Sequence, residues 1–124
     1  MNIILFSRKQ VNHRPEQLRS MLSTIESLGL GYAMNEELAS VVHSLLGIDI
    51  EAEKIFHHLP HFTGDDVVVT YGGDGTLLEA VGMLGGRPTP VVGINCGRLG
   101  YLTADDGDGI ELLFERIAHR ELSF

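Results

Sequence analysis

The sequence predicts an α/β fold in three layers, with a mostly parallel sheet covered by helices on both faces. Three observations carry that expectation. Short β-branched and apolar runs alternate with stretches of helical periodicity along the chain. The strand-like runs are apolar without interruption, as strands buried on two faces must be. Two glycine-rich segments fall where a strand ends, which is where ligands gather in open parallel sheets.

Residues 2–7, rich in Ile and Leu, read as the first strand, with Ser7, Arg8 and Lys9 at its carboxyl end. In residues 15–28, Leu18, Met21, Leu22, Ile25 and Leu28 recur at helical spacing; Pro15 suits the first turn and Gly29 lies just past the end. Residues 30–34 read as a second strand. Asn35 can then cap a helix whose apolar stripe is Leu38, Val41, Val42, Leu45 and Leu46, closed by Gly47. Ile50, Ile55 and Phe56 suggest a short helix followed by loop, because Pro60 and Gly64 interrupt anything longer. Residues 67–71, β-branched and aromatic, read as a central strand that leads straight into a glycine turn, with residues 77–84 helical beyond it. Residues 91–94 give a further strand, and residues 109–120 a closing amphipathic helix with Leu112, Leu113, Phe114 and Ile117 on its inner side.

A chain of 124 residues fits one domain, here residues 1–124. Its 44% apolar and 21% charged residues exclude a disordered chain. Seventeen acidic residues against nine basic ones give a net charge of -8, the wrong sign for a surface that neutralises a nucleic-acid backbone. The positive charge is uneven, however: Arg8, Lys9, Arg14 and Arg19 face only Glu16 in the first twenty residues, which leaves room for a local anion site. A single cysteine, Cys96, forms no internal disulfide, so a reducing cytoplasm is the expected compartment. The first apolar run ends at Phe6, far short of a signal segment or a membrane span, and no membrane partner is expected.

The segment Gly72-Gly73-Asp74-Gly75-Thr76 carries the first chemistry. Glycines leave backbone N–H groups unshielded, and with the start of a helix those groups suit a phosphate. A carboxylate among them is repelled by phosphate unless a metal intervenes or it serves an attacking hydroxyl; the second role fits phosphoryl transfer. The plain alternative is an ordinary strand-to-helix turn with an Asp near the cap. Neither Gly-Lys-Ser nor Gly-Lys-Thr occurs, and residues 73–78 lack the third small residue of the dinucleotide fingerprint, so a Walker-type ATPase and an ordinary dehydrogenase are both excluded.

The second segment, Gly93-Ile94-Asn95-Cys96-Gly97-Arg98-Leu99-Gly100-Tyr101-Leu102-Thr103, begins within the strand at 91–94 and runs on past its end. A Gly-Gly-Asp-Gly turn is shared by NAD kinases, diacylglycerol and sphingosine kinases, and phosphofructokinases; with the second segment the chain resembles the N-terminal half of an NAD kinase. The resemblance implies a Rossmann-like domain, transfer of the γ-phosphate of ATP, or of polyphosphate, to the 2′-hydroxyl of the NAD adenosine ribose, and Mg²⁺ accompanying the phosphates. On it, Asp74 orients or deprotonates that hydroxyl, and Gly72, Gly73, Gly75 and Thr76 lie around the phosphates. Tyr101, where the family usually has Phe, lines the dinucleotide pocket or else packs in the core, and Arg8 and Lys9 reach a triphosphate or remain solvated surface.

The resemblance also implies a second, β-rich domain that these 124 residues do not contain, and a homo-oligomer for a full-length enzyme. The chain is therefore expected to be a truncated form, a proteolytic fragment or a split gene, with little activity alone. A lipid kinase relative and a non-catalytic nucleotide-binding module stay open as alternatives. No metal site is expected: Pro60 breaks the helical geometry that would bring His57 and His61 to one face beside His58, and Arg116 stands where a calcium loop starting at Asp105 needs its Glu. Cys96 has no identifiable base partner and receives no chemistry.

Overall fold

The computed structural model describes residues 2–10, 13–57, 66–86, 89–95 and 106–119. Among the described residues five strands and four helices follow one another: β1 (Asn2–Ser7), α1 (Pro15–Ser27), β2 (Gly31–Asn35), α2 (Glu36–Leu46), β3 (Ile55–Phe56), β4 (Val67–Gly72), α3 (Asp74–Leu84), β5 (Val91–Asn95) and α4 (Asp106–Ala118). All strand pairs are parallel, in the order β3-β2-β1-β4-β5. The chain winds outward from β1 in one direction, then crosses back to β4 and winds outward in the other. The direction therefore reverses between β1 and β4, and a crevice opens beyond the carboxyl ends of those two strands.

Strand periodicity sorts the core into two layers. In register, Ile3 lies beside Val67, Leu5 beside Val69, and Ser7 beside Tyr71. Apart from Ser7, these side chains join Leu18, Met21 and Ile25 of α1, Leu38 and Val42 of α2, and Ile110, Phe114 and Ile117 of α4 in one cluster. The intervening positions, Ile4, Phe6 and Val68, pack on the opposite face against Ala80 and Leu84 of α3. Helices of both handed halves thus cover the sheet, and no helix among the described residues is long and apolar enough to cross a membrane.

The end of α1 shows why its glycine was readable. Gly29 takes φ +70°, its N–H bonds the carbonyl of Glu26, and the N–H of Leu30 bonds that of Ile25, a paired closure that needs a left-handed residue. Gly47 ends α2 in the same region, at φ +69°.

The structure corrects four expectations. Asn35 occupies the cap position of α2 but makes no capping hydrogen bond; its side chain is used elsewhere. Ile55 and Phe56 are not helical: a 3-10 turn over Ala52–Lys54 delivers them as an edge strand paired with Met34 and Asn35. Leu45 and Leu112, placed on inner stripes, are 42% and 41% exposed, so the buried faces of α2 and α4 are narrower than the apolar pattern suggested. Finally, α3 begins at Asp74 rather than at Leu77, which puts the acidic residue of the glycine turn inside the first helical turn.

Candidate functional site

The crevice is built from the carboxyl ends of β1, β2 and β4. At β4, Gly72 ends the strand with φ 157° and Gly73 follows as the cap residue of α3, with no side chain to cap the helix. The first bonds of α3 run from the N–H groups of Thr76 and Leu77 to the carbonyl of Gly73 at 3.1 and 3.3 Å. The amides of Asp74 and Gly75 precede those bonds, so they are the ones a helix start leaves for an anion.

Arg8, one residue past β1, leans across to this turn. Its Nε lies 3.5 Å from Glu79 Oε2 on α3, and a Cβ built on Gly75 would stand 3.3 Å from its Nη1. An ion pair through Nε orients a guanidinium while leaving its terminal nitrogens to bind something else. Lys9 is exposed, and its backbone N–H donates to Glu37 Oε2 at 2.7 Å.

Behind these residues the three strand ends are tied together. Asn35 accepts from the Ser7 N–H at 3.1 Å and donates from Nδ2 to the Ser7 carbonyl at 2.7 Å, closing β2 onto β1. The Ser7 hydroxyl donates to the Tyr71 carbonyl at 2.6 Å, closing β1 onto β4. Because that hydroxyl has one proton, His13 Nε2, 2.8 Å from Ser7 Oγ, is the donor in their contact. The His13 ring stacks on Tyr71 with centroids 5.6 Å apart and planes 14° from parallel. Tyr71, fully buried, donates its hydroxyl to Gln17 Oε1 and accepts from the Arg14 N–H at 3.2 Å.

On the α3 side of the sheet the carboxyl ends of β1, β2 and β3 and one face of α3 line an open cavity of about 360 Å³. Phe6, Phe56 and Met83 give it apolar walls, while Arg8, Asn35, Glu36, Glu37, His57 and Glu79 supply its polar groups. His57 Nδ1 pairs with Glu36 Oε2 at 2.8 Å. Among the described residues no group of three His, Cys, Asp or Glu side chains could hold a metal ion.

Of the residues singled out from sequence, Gly72, Gly73, Gly75 and Arg8 converge at the mouth of this crevice, and the Asp74 backbone opens α3 beside them. Thr76 is 2% exposed, so its side chain is turned into the protein. Tyr101, Cys96, His58 and His61 lie outside the described residues. Sequence reasoning missed Asn35, Glu79 and the pocket wall of Phe6, Phe56 and Met83. Asn35 had a competing signal as a helix cap, and the others come together only across the sheet.

The model of the ATP-NAD kinase N-terminal domain family matches residues 8–122. The chain is 34% identical over 113 residues to an NAD kinase of Gemmatimonas aurantiaca, covering 87% of this chain and 35% of that protein. It is 50% identical over 56 residues to one of Caldicellulosiruptor bescii, covering 45% of the chain and 22% of the relative. Its fold is similar to that of the yeast NADH kinase complexed with NADH, with a TM-score of 0.65 at 20% identity over 96% of this chain and 36% of that one. The chain thus spans about a third of the length of the relatives that it matches along most of its own.

Proposed function

Because the chain belongs to the ATP-NAD kinase family through its N-terminal domain, we propose that it supplies the phosphate-handling half of an enzyme that transfers the γ-phosphate of ATP to the 2′-hydroxyl of the NAD adenosine ribose. The observation that carries this reading is the meeting of Arg8 with the Gly72–Asp74–Gly75 turn at the reversal point of the sheet. The amides of Asp74 and Gly75 and the terminal nitrogens of Arg8 are donors suited to triphosphate oxygens. Phosphoryl transfer asks mainly for positioning and for stabilisation of charge on the transferred group, and these donors supply both.

Asp74 then has the role of orienting the acceptor hydroxyl or taking its proton, which requires hydrogen-bond reach to that oxygen in the assembled complex. Mg²⁺ would arrive on the phosphates, which need one or two protein carboxylates beside it; Glu79, at the mouth of the crevice, fits that need. Its chemistry there is neutralisation of phosphate charge. The NAD pocket is completed, on this reading, by a second domain and by Tyr101, and the working compartment is the cytoplasm. A full-length enzyme of this kind is expected to assemble from identical subunits.

The test is coupled NADP formation from NAD, ATP and Mg²⁺. It compares the 124-residue chain with a chimera in which the chain replaces the corresponding 35% of the Gemmatimonas aurantiaca relative. Activity in the chimera that Asp74→Asn lowers by about 10²-fold or more supports the reading. An Asp74→Asn chimera as fast as its parent would remove Asp74 from the chemistry. A folded, inactive chimera that still binds ATP would leave a binding module.

A further inference from the structure

The face of β1 that carries Ile3 and Leu5 ends on a polar side chain, Ser7, which is fully buried. Stability alone would be served there by another apolar residue, since a buried hydroxyl must first recover the hydrogen bonds that it gives up in water. Every polar group of Ser7 has recovered them. Its N–H and carbonyl are bonded to the Asn35 amide at 3.1 and 2.7 Å, and its hydroxyl stands between His13 Nε2 at 2.8 Å and the Tyr71 carbonyl at 2.6 Å. A buried polar group satisfied on all sides rigidifies the segments that it joins.

Those segments are the two from which the phosphate-handling groups depart. Arg8 is the residue after Ser7, and Gly72 is the residue after Tyr71; the strands are in register at that level, Ser7 beside Tyr71. The Ser7–Tyr71 bond therefore fixes the distance between the root of the arginine and the root of the glycine turn. Tyr71 is held in its turn, with its hydroxyl bonded to Gln17 and to the Arg14 N–H and its ring stacked on that of His13. His13 sets the direction of the Ser7 proton: because Nε2 donates to Oγ, the hydroxyl gives its single proton to the Tyr71 carbonyl.

We infer that Ser7, oriented by His13, is a positioning residue of the phosphate site, holding Arg8 and the Gly72–Gly75 turn at the spacing in which both grip one phosphate chain. Neither Ser7 nor His13 touches the anion. They act through the groups that do, in the way that a supporting shell keeps binding groups within a fraction of an ångström of their working geometry. The inference rests on the phosphotransfer reading above.

The probe is inorganic tripolyphosphate, titrated calorimetrically into the 124-residue chain, with thermal melting of each variant run beside it. Arg8→Ala is the reference and should weaken binding about tenfold or more. Ser7→Ala should weaken it about fivefold and shift the amide resonances of Gly73 and Gly75, whereas Ser7→Thr, which keeps the hydroxyl, should stay within about twofold of the parent. His13→Phe keeps a ring against Tyr71 but has no donor, and should weaken binding about threefold. Combined with Ser7→Ala it should add nothing further, because the two side chains act along one line. His13 is only half-buried, so its variant tests the inference even where the Ser7 variants fail to fold. Ser7→Ala and His13→Phe chains that melt earlier, yet bind tripolyphosphate as tightly as the parent, would make the network structural alone and overturn the inference with the phosphate site intact. Binding that Arg8→Ala leaves unchanged would remove the phosphate site itself, and the positioning role with it.

Discussion

Gly75 is defined by what stands over it. Arg8 Nη1 would lie 3.3 Å from an added Cβ, and since the end of an arginine side chain is free to move, an alanine there displaces the guanidinium rather than the backbone. Gly75→Ala is therefore expected to leave stability unchanged or raise it by up to about 1 kcal/mol, because alanine is the better helix former. ATP affinity should nevertheless fall severalfold as Arg8 loses its place. Melting and ATP titration on one sample check both halves, and a variant that binds ATP normally would remove Arg8 from the phosphate site. At this scale the sequence picked out Arg8 and the Gly72–Gly75 turn on residue type alone, and the structure brings Arg8 and Gly75 together. Glu79 was not legible, because nothing near it in the chain indicates that Arg8 reaches it.

At the scale of elements, helix ends were readable and side-chain destinations were not. Gly29 marked the end of α1 because only a residue at ease at φ +70° permits that closure; Gly29→Ala should cost about 1 kcal/mol, read as a shift in the urea midpoint. Asn35 shows the opposite. Its position announces a helix cap, yet its amide bonds both the N–H and the carbonyl of Ser7. The two roles give different expectations for Asn35→Asp. A capping residue tolerates the change. A tie that must donate to a carbonyl does not, so Asn35→Asp should destabilise as much as Asn35→Ala, by about 1–2 kcal/mol. An Asp variant as stable as the parent would return Asn35 to the cap. Ile55 and Phe56 were misread because two residues are too few to show a period, and their strand character comes from pairing with β2.

For the whole molecule, the alternation of strands and helices made the α/β class legible, while the strand order was set by contacts between distant segments. One surface stands out: α3 presents Leu78, Val81 and Met83 with 69%, 48% and 40% of their surface exposed. Leu78→Glu combined with Val81→Lys is expected to lower concentration-dependent light scattering while changing stability by no more than about 0.5 kcal/mol. A large loss of stability would instead show that these side chains carry packing. The central pairing of β1 with β4 also has a consequence for biosynthesis. Ile3 must wait for Val67, and Ser7 for Tyr71. Between the appearance of Asn35, the last residue of β2, and Gly72, the last residue of β4, a ribosome adding about 5–20 residues per second needs roughly two to seven seconds. Throughout that interval the nascent β1 has one open edge and one uncovered apolar face, that of Ile4 and Phe6, making it the segment on which a chaperone acting during translation would first take hold.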